Sequence, residues 1–331
     1  MPLPRSGVEL IERTAERWRW LVYRVRFHPF TTHELPRILG GLMDYARLMR
    51  LDRPIGIWLL LWPTLWALWI SGRGKPNPRI FIIFVAGTVL MRSAGCAIND
   101  YADRSFDPHV ARTKNRPLAA GRISTLEALM LFAVLSMAAL MLALQLNRST
   151  LLLAVVGGFL AVTYPFVKRF LSVPQMYLGL TFGWGIPMAF EAQLEQVPRV
   201  GWLLLLANVL WVTVYDTIYA MVDRDDDLKV GVRSTAILFG DSDRHIIAVL
   251  QLMTLLSLYL VGRMIHLGYW YGAGLCAGAM FFAHQLWLIR GRDRESCFRA
   301  FLNNNYFGMA VFIGMALEYV FSSSTNSRIL G

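Results

Sequence analysis

The chain has 331 residues, 56% of them apolar and only 17% charged, with a mean hydropathy of +0.44. Soluble domains carry about 45–50% apolar and about 25% charged residues, so one soluble globular domain is excluded and an all-α, polytopic membrane protein is expected. In such a chain the net charge of +11 reports loop topology, not nucleic-acid binding.

Residues 1–41 form a basic, amphipathic arm that holds Trp18 and Trp20 together with Glu9, Glu12 and Glu16. It lacks an apolar core followed by a small-residue cleavage site, so it does not read as a signal peptide. The expectation is a cytoplasmic arm lying partly on an anionic membrane surface. Apolar runs then predict about nine transmembrane helices, over roughly 55–71, 80–98, 126–146, 149–167, 175–192, 201–221, 245–265, 268–289 and 305–321. Together they make one intramembrane domain, 42–321, followed by a short polar tail, 322–331. Pro63, Pro165 and Pro187 are expected to kink or end their helices. Cys96, Cys276 and Cys297 lack metal or redox spacing and read as small buried hydrophobes.

With nine spans and a cytoplasmic N-terminus, the loops at 99–125, 168–174, 222–244 and 290–304 share one side. They hold 15 of the 33 Lys and Arg, residues 1–53 hold ten more, and the opposite side holds about seven. The positive-inside rule therefore places these loops in the cytoplasm and the C-terminus outside.

Two acidic clusters interrupt this basic face. The first is Asn99, Asp100, Asp103 and Asp107; the second is Asp216, Tyr219, Asp223 and Asp227, with Asp225 and Asp226 beside them. Carboxylates at a membrane boundary are costly unless paired or bound to metal. Spacings of three, four and seven residues place them on one face wherever the helix continues. Oxygen-only donors suit Mg²⁺, which completes its shell with water and phosphate oxygens. The plainer alternative is a pair of solvated acidic loops or helix caps.

Cations surround the acid. Arg112, Lys114 and Arg116 follow the first cluster, Lys168 and Arg169 close the fourth span, and Lys229 and Arg233 follow the second cluster. Such a mixture matches a metal-bridged diphosphate, although topology signalling alone accounts equally well for Lys114 and Lys229. Arg92 lies inside the second span, seven residues before Asn99, where an Arg marks a functional position or snorkels to the surface. Arg53, before Pro54, invites the same two readings. Asn208, in the sixth span, reads as an interhelical hydrogen bond. Glu318 is the one isolated acid deep in a later span.

The runs Asn99-Asp-Tyr-Ala-Asp103-Arg-Ser-Phe-Asp107, Arg112-Thr-Lys-Asn-Arg116-Pro-Leu and Tyr215-Asp-Thr-Ile-Tyr219-Ala-Met-Val-Asp223-Arg-Asp-Asp-Asp227 resemble the UbiA superfamily of intramembrane prenyltransferases. Asp52-Arg-Pro-Ile-Gly56, Leu61-Trp-Pro-Thr-Leu-Trp-Ala-Leu-Trp69, Met91-Arg-Ser-Ala-Gly-Cys96, Tyr164-Pro-Phe-Val-Lys-Arg169 and Asn303-Asn-Asn-Tyr306 extend the likeness across about 42–321. The resemblance implies helices around a central cavity open to lipid, Mg²⁺ as cofactor, and a polyprenyl diphosphate joined to 4-hydroxybenzoate for ubiquinone synthesis in the bacterial inner membrane. It implies that Asn99, Asp100, Asp103, Asp107, Asp216, Asp223 and Asp227 form the Mg²⁺–diphosphate site, with Asp103, Asp216 and Asp223 catalytic. Arg112, Arg116 and Lys168 then contact diphosphate, while Arg53, Arg92 and Arg169 are candidates for the acceptor carboxylate and Tyr219 lines the substrate site. Two other functions stay open: transfer to another aromatic acceptor such as a naphthoate or homogentisate, and, from a different class, divalent-cation carriage.

Overall fold

A computed structural model describes residues 35–109, 113–167, 170–230 and 234–326. The chain divides into two compact units, Met1–Arg47 and Leu48–Gly331. Of the first, only residues 35–47, within helix α1 (Leu35–Leu48), are described; residues 1–34 of the arm expected over 1–41 lie outside the described residues.

The second unit is helical throughout its described length: α2 (Ile55–Ser71), α3 (Pro78–Asp103), α4 (Thr125–Ala143), α5 (Arg148–Val167), α6 (Pro174–Gly183), α7 (Gly185–Leu194), α8 (Arg199–Val230), α9 (Thr235–Phe239), α10 (Asp243–Met264), α11 (Tyr269–Leu288) and α12 (Arg294–Asn326). Local chemistry sets several starts. Asn77 accepts hydrogen bonds from the Arg79 and Ile80 amides with Pro78 at the first helical position. Ser124 and Glu127 form a reciprocal capping box at α4.

Helices occupy all nine expected positions, but among the described residues length and apolarity mark six of them as spans. Helix α2 has 17 residues. The run at 175–192 is broken into two ten-residue helices around Trp184, whose indole donates to the Leu153 carbonyl at 2.8 Å. The run at 305–321 lies within the 33-residue α12. Pro63 and Pro165 do not end their helices; α2 and α5 continue past them. Pro187 sits in the first turn of α7, just after the break.

The outer surface is apolar. On α4, Leu126, Met130, Val134, Met137 and Met141 recur every three or four residues, all exposed. In water this stripe would be untenable; in lipid it is the expected outer face. The protein is a multi-pass membrane protein.

Inside, Trp66, Trp211, Tyr215 and Phe307 are fully buried. A buried ring with a polar edge usually takes a partner: the Trp66 indole donates to the Gly308 carbonyl at 3.2 Å, and three consecutive asparagines on α12 accept hydrogen bonds from three other helices. Asn305 accepts from the Trp62 indole at 2.9 Å, Asn304 from Trp211 at 3.0 Å, and Asn303 from the Gln285 amide at 3.1 Å. The Asn303–Asn305 run thus ties α2, α8 and α11 to α12. Helices α11 and α12 also meet backbone to backbone at Gly274 and Gly314, where a Cβ on either would reach the other's Cα within 2.9 Å.

Glu318 has a structural role. Its carboxylate accepts from the Trp270 and Tyr271 amides at 2.9 and 3.3 Å, satisfying the first turn of α11 as an anion at a helix N-terminus. Asn208 makes the interhelical bond expected of it, donating to the Gly179 carbonyl at 3.1 Å. All three cysteines are free, but Cys276 is exposed on α11, not buried.

Candidate functional site

The first acidic cluster does not stay on one helix. Helix α3 stops at Asp103, and Asp107 opens a separate 3₁₀ turn, Asp107–His109. The chain turns back and places Arg116 between the acids: its Nη1 lies 3.0 Å from Asp100 Oδ1 and 2.8 Å from Asp107 Oδ2. From the other side Arg50 Nη2 reaches both Asp100 oxygens, at 2.7 and 2.9 Å. Asp100 is 1% exposed and Asp107 6%, so both charges need these cations. Burial pushes the Asp107 carboxyl above its usual range, against the pull of Arg116 and with Asp100 and Asp103 adding to the rise. Arg50 was not singled out in the sequence; its only signal is a cation immediately beyond a helix end.

The second cluster lies wholly on α8. Asp223 is buried, while Asp216, Tyr219 and Asp227 are partly exposed. Asp216 and Asp227 are eleven residues apart, about 16 Å along the helix axis, so no single ion takes both. Tyr219 packs on Phe301 and Phe298, with ring centroids 4.6 and 6.5 Å apart. Asp226 pairs with Arg294 of α12 at 3.1 Å.

Both clusters are felt electrostatically at Tyr164 of α5. The charges of Asp216 from the second cluster, Asp103 from the first, and Arg92 all act on its hydroxyl. Tyr215, buried on α8, feels Asp216 and Arg92 in the same way. Arg92 itself is partly buried. Its guanidinium lies over the Phe182 ring at 5.7 Å, donates to the Cys96 sulfur at 3.0 Å, and packs directly on Gly56, where any Cβ would collide with it.

Arg53 is placed elsewhere. Its side chain is 75% exposed and lies 3.8 Å from Asp52. Arg112, Lys168 and Arg169 lie outside the described residues.

The donor set is chemically right for a hard divalent cation, being carboxylate and amide oxygen throughout. Among the described residues, however, no three His, Cys, Asp or Glu side chains converge closely enough to hold an ion. In the first cluster arginines compensate Asp100 and Asp107.

Residues 60–312 match the model of the UbiA prenyltransferase family. The chain is 58% identical over 279 residues to a 4-hydroxybenzoate octaprenyltransferase from Nitrosococcus oceani, covering 84% of this chain and 98% of that one. It is 56% identical over 278 residues to an enzyme of the same name from Methylococcus capsulatus, covering 84% and 95%. Among solved structures, a UbiA homolog from Aeropyrum pernix K1 superposes with a TM-score of 0.69 at 27% identity, over 80% of this chain and 97% of that one. A UbiA homolog from Archaeoglobus fulgidus bound to GPP and Mg²⁺ shares the fold, with a TM-score of 0.65 at 17% identity over 84% and 99%. With its motifs, its helical architecture and three quarters of its length in agreement, the chain belongs to the UbiA prenyltransferase family.

Proposed function

We propose that the protein transfers a polyprenyl group from polyprenyl diphosphate to the ring carbon of 4-hydroxybenzoate ortho to the hydroxyl, in ubiquinone biosynthesis. The observation that carries the reading is the interleaving of acid and arginine at the end of α3, where Arg116 lies between Asp100 and Asp107, with Arg92 held against Phe182 and Gly56 further back on the same helix: charges for a metal-bridged diphosphate, and a cation for an acceptor carboxylate.

Mg²⁺ when bound supplies electrostatic neutralisation of the diphosphate, which makes it a better leaving group. Asn99, Asp103, Asp107, Asp216, Asp223 and Asp227 are the residues that would hold it and its diphosphate. Asp100 is better assigned to fixing Arg50 and Arg116. Arg116, with Arg112 and Lys168, binds diphosphate oxygens, and an incoming diphosphate draws Arg116 away from Asp107 because its charge is greater. As the allylic C–O bond breaks, the cation that forms is captured by the ring carbon ortho to the phenol. Asp216 accepts the phenolic proton or stabilises the cation, and loss of the ring proton restores aromaticity. The apolar surroundings limit hydrolysis of the cation. Arg92 holds the benzoate carboxylate, with Arg169 and Arg53 as the other candidates and Tyr219 along the substrate path.

The domain at 42–321 carries this activity in the bacterial inner membrane, with the arm at 1–41 and the acidic loops in the cytoplasm and the tail at 322–331 outside. Cysteine labelling at Lys75 and Arg224 checks this: opposite-side labelling is expected, and same-side labelling would mean a span has been miscounted. The activity itself is tested with membranes, Mg²⁺, 4-hydroxybenzoate and prenyl diphosphates of several lengths, read by mass spectrometry. Prenylated 4-hydroxybenzoate is expected, lost in excess EDTA. Product only with a naphthoate or homogentisate would replace the acceptor, and Mg²⁺ flux into proteoliposomes without substrate would favour a carrier.

A further inference from the structure

Tyr215 is 2% exposed, and its hydroxyl has no hydrogen-bond partner. A buried phenol normally finds one, and leaving it unpaired is costly. The position of this hydroxyl is set by ring packing alone: Trp211 and Phe301 both meet the ring edge to face, at 5.4 and 6.1 Å. A second unpartnered polar atom belongs to a cation, Arg92, whose Nε also lacks an acceptor. Arg92 and Asp216 both exert their charge on the Tyr215 hydroxyl. Two donors, one on α3 and one on α8, are therefore buried without an acceptor, and Tyr215 immediately precedes Asp216 of the second cluster.

The chemistry that satisfies both donors is a carboxylate. We propose that Tyr215 is an acceptor-recognition residue: its hydroxyl donates a hydrogen bond to the aromatic acid's carboxylate while Arg92 neutralises it. This rests on the proposed activity and adds a second recognition point to it. With the carboxylate held at Tyr215 and Arg92, the para hydroxyl of the acceptor is directed away from them. That leaves the phenol end for Asp216 and the diphosphate.

Tyr215→Phe removes the hydroxyl and keeps both ring contacts. Calorimetric titration of the purified full-length protein with 4-hydroxybenzoate is the measurement. The affinity is expected to fall roughly 10- to 100-fold, the range for a hydrogen bond to a charged group, with the affinity for polyprenyl diphosphate unchanged. With 4-hydroxybenzamide, whose carbonyl accepts only a neutral hydrogen bond, the loss in Y215F is expected to be several-fold smaller than with 4-hydroxybenzoate. Unchanged 4-hydroxybenzoate affinity would overturn the proposal, and so would an equal loss for the diphosphate, which would mark Tyr215 as a packing residue. As a check independent of the variant, a 3-fluorotyrosine at position 215 of the otherwise wild-type protein should shift its ¹⁹F resonance on titration with 4-hydroxybenzoate; no shift would equally overturn it. Turnover by the wild type is a separate readout. Its absence would remove the activity, while the binding comparison would still decide the role of Tyr215.

Discussion

Two buried aspartates at the charged loops are held in nearly the same way, yet only one belongs to an acidic motif. Asp100 is clamped by Arg50 and Arg116. Asp243, 0% exposed at the start of α10, is clamped by Arg292, whose Nη2 and Nε lie 2.8 and 3.0 Å from its two oxygens, and by Arg224 at 3.5 Å. In each clamp one arginine has a left-handed backbone, Arg50 with φ 59° and Arg292 with φ 54°. The difference lies in what the clamp shares. Arg116 also holds Asp107 and so links Asp100 to the acids at the end of α3. The Asp243 clamp reaches the second cluster through the cation Arg224. Membership of an acidic run therefore does not assign a role: Asp100 shares its burial and its two-arginine clamp with Asp243, while Asp103 is partly exposed.

The largest effects should separate those roles. Asp103→Asn or Asp223→Asn is expected to lower kcat/KM on the order of 10²-fold or more, the scale of losing a key electrostatic contact, with the melting temperature little changed. Asp243→Asn should do the reverse. Equal losses of activity across all three would erase the distinction.

Arg92 tests acceptor recognition. Arg92→Ala should raise KM for 4-hydroxybenzoate far more than for the prenyl diphosphate, by about 2–5 kcal/mol, the range for truncating one partner of a buried charge pair. Arg116→Ala and Arg112→Ala should show the opposite bias. Arg92→Lys should rescue only in part, because an ammonium cannot form the bidentate fork. Gly56→Ala should reproduce part of the Arg92→Ala defect without touching a charge, since a Cβ there must displace the guanidinium. A selective rise in diphosphate KM would move Arg92 to the metal–diphosphate group.

Much of this was legible in the sequence. Apolar runs located the long helices because lipid enforces continuous helical hydrogen bonding, whereas the caps at Asn77 and Ser124–Glu127 emerge only in the structure. Arg92 could be singled out because a cation within a span is costly. The first cluster could not be resolved from spacing, because the chain leaves the helix at Asp103 and brings Arg116 back from 13 residues further on. Asp243 and Arg292 were invisible for the same reason: their partner is 49 residues away. Asp100 and Asp103 are three residues apart in one motif, and only their surroundings distinguish them.

The clamps themselves yield a smaller effect. Arg50→Ala and Arg292→Ala each leave a buried carboxylate with one cation in place of two. The expected cost is about 2 kcal/mol, below the ~3–5 kcal/mol for a fully stripped buried charge, read as a lower melting temperature in both. Only Arg50→Ala should also reduce kcat/KM, because it loosens Asp100 and, through it, Arg116.

The smallest effect concerns the backbone beneath each clamp. A non-glycine residue in the left-handed region carries a steric cost of roughly 1–2 kcal/mol, which Arg50 and Arg292 bear because their guanidinium groups are anchored on a buried carboxylate. Once the side chain is removed, that cost has no compensation. Arg50→Gly and Arg292→Gly should therefore be more stable than the corresponding alanine variants, by about 1 kcal/mol, although both lose the same ion pairs. Parallel thermal denaturation of the four proteins measures the difference. If glycine outperforms alanine at both positions, the arginines hold a strained turn in each clamp, and the two ends share a device as well as a chemistry. If glycine and alanine are equal at one position, that turn relaxes when the arginine leaves, and there the clamp imposes the backbone conformation it was taken to tolerate.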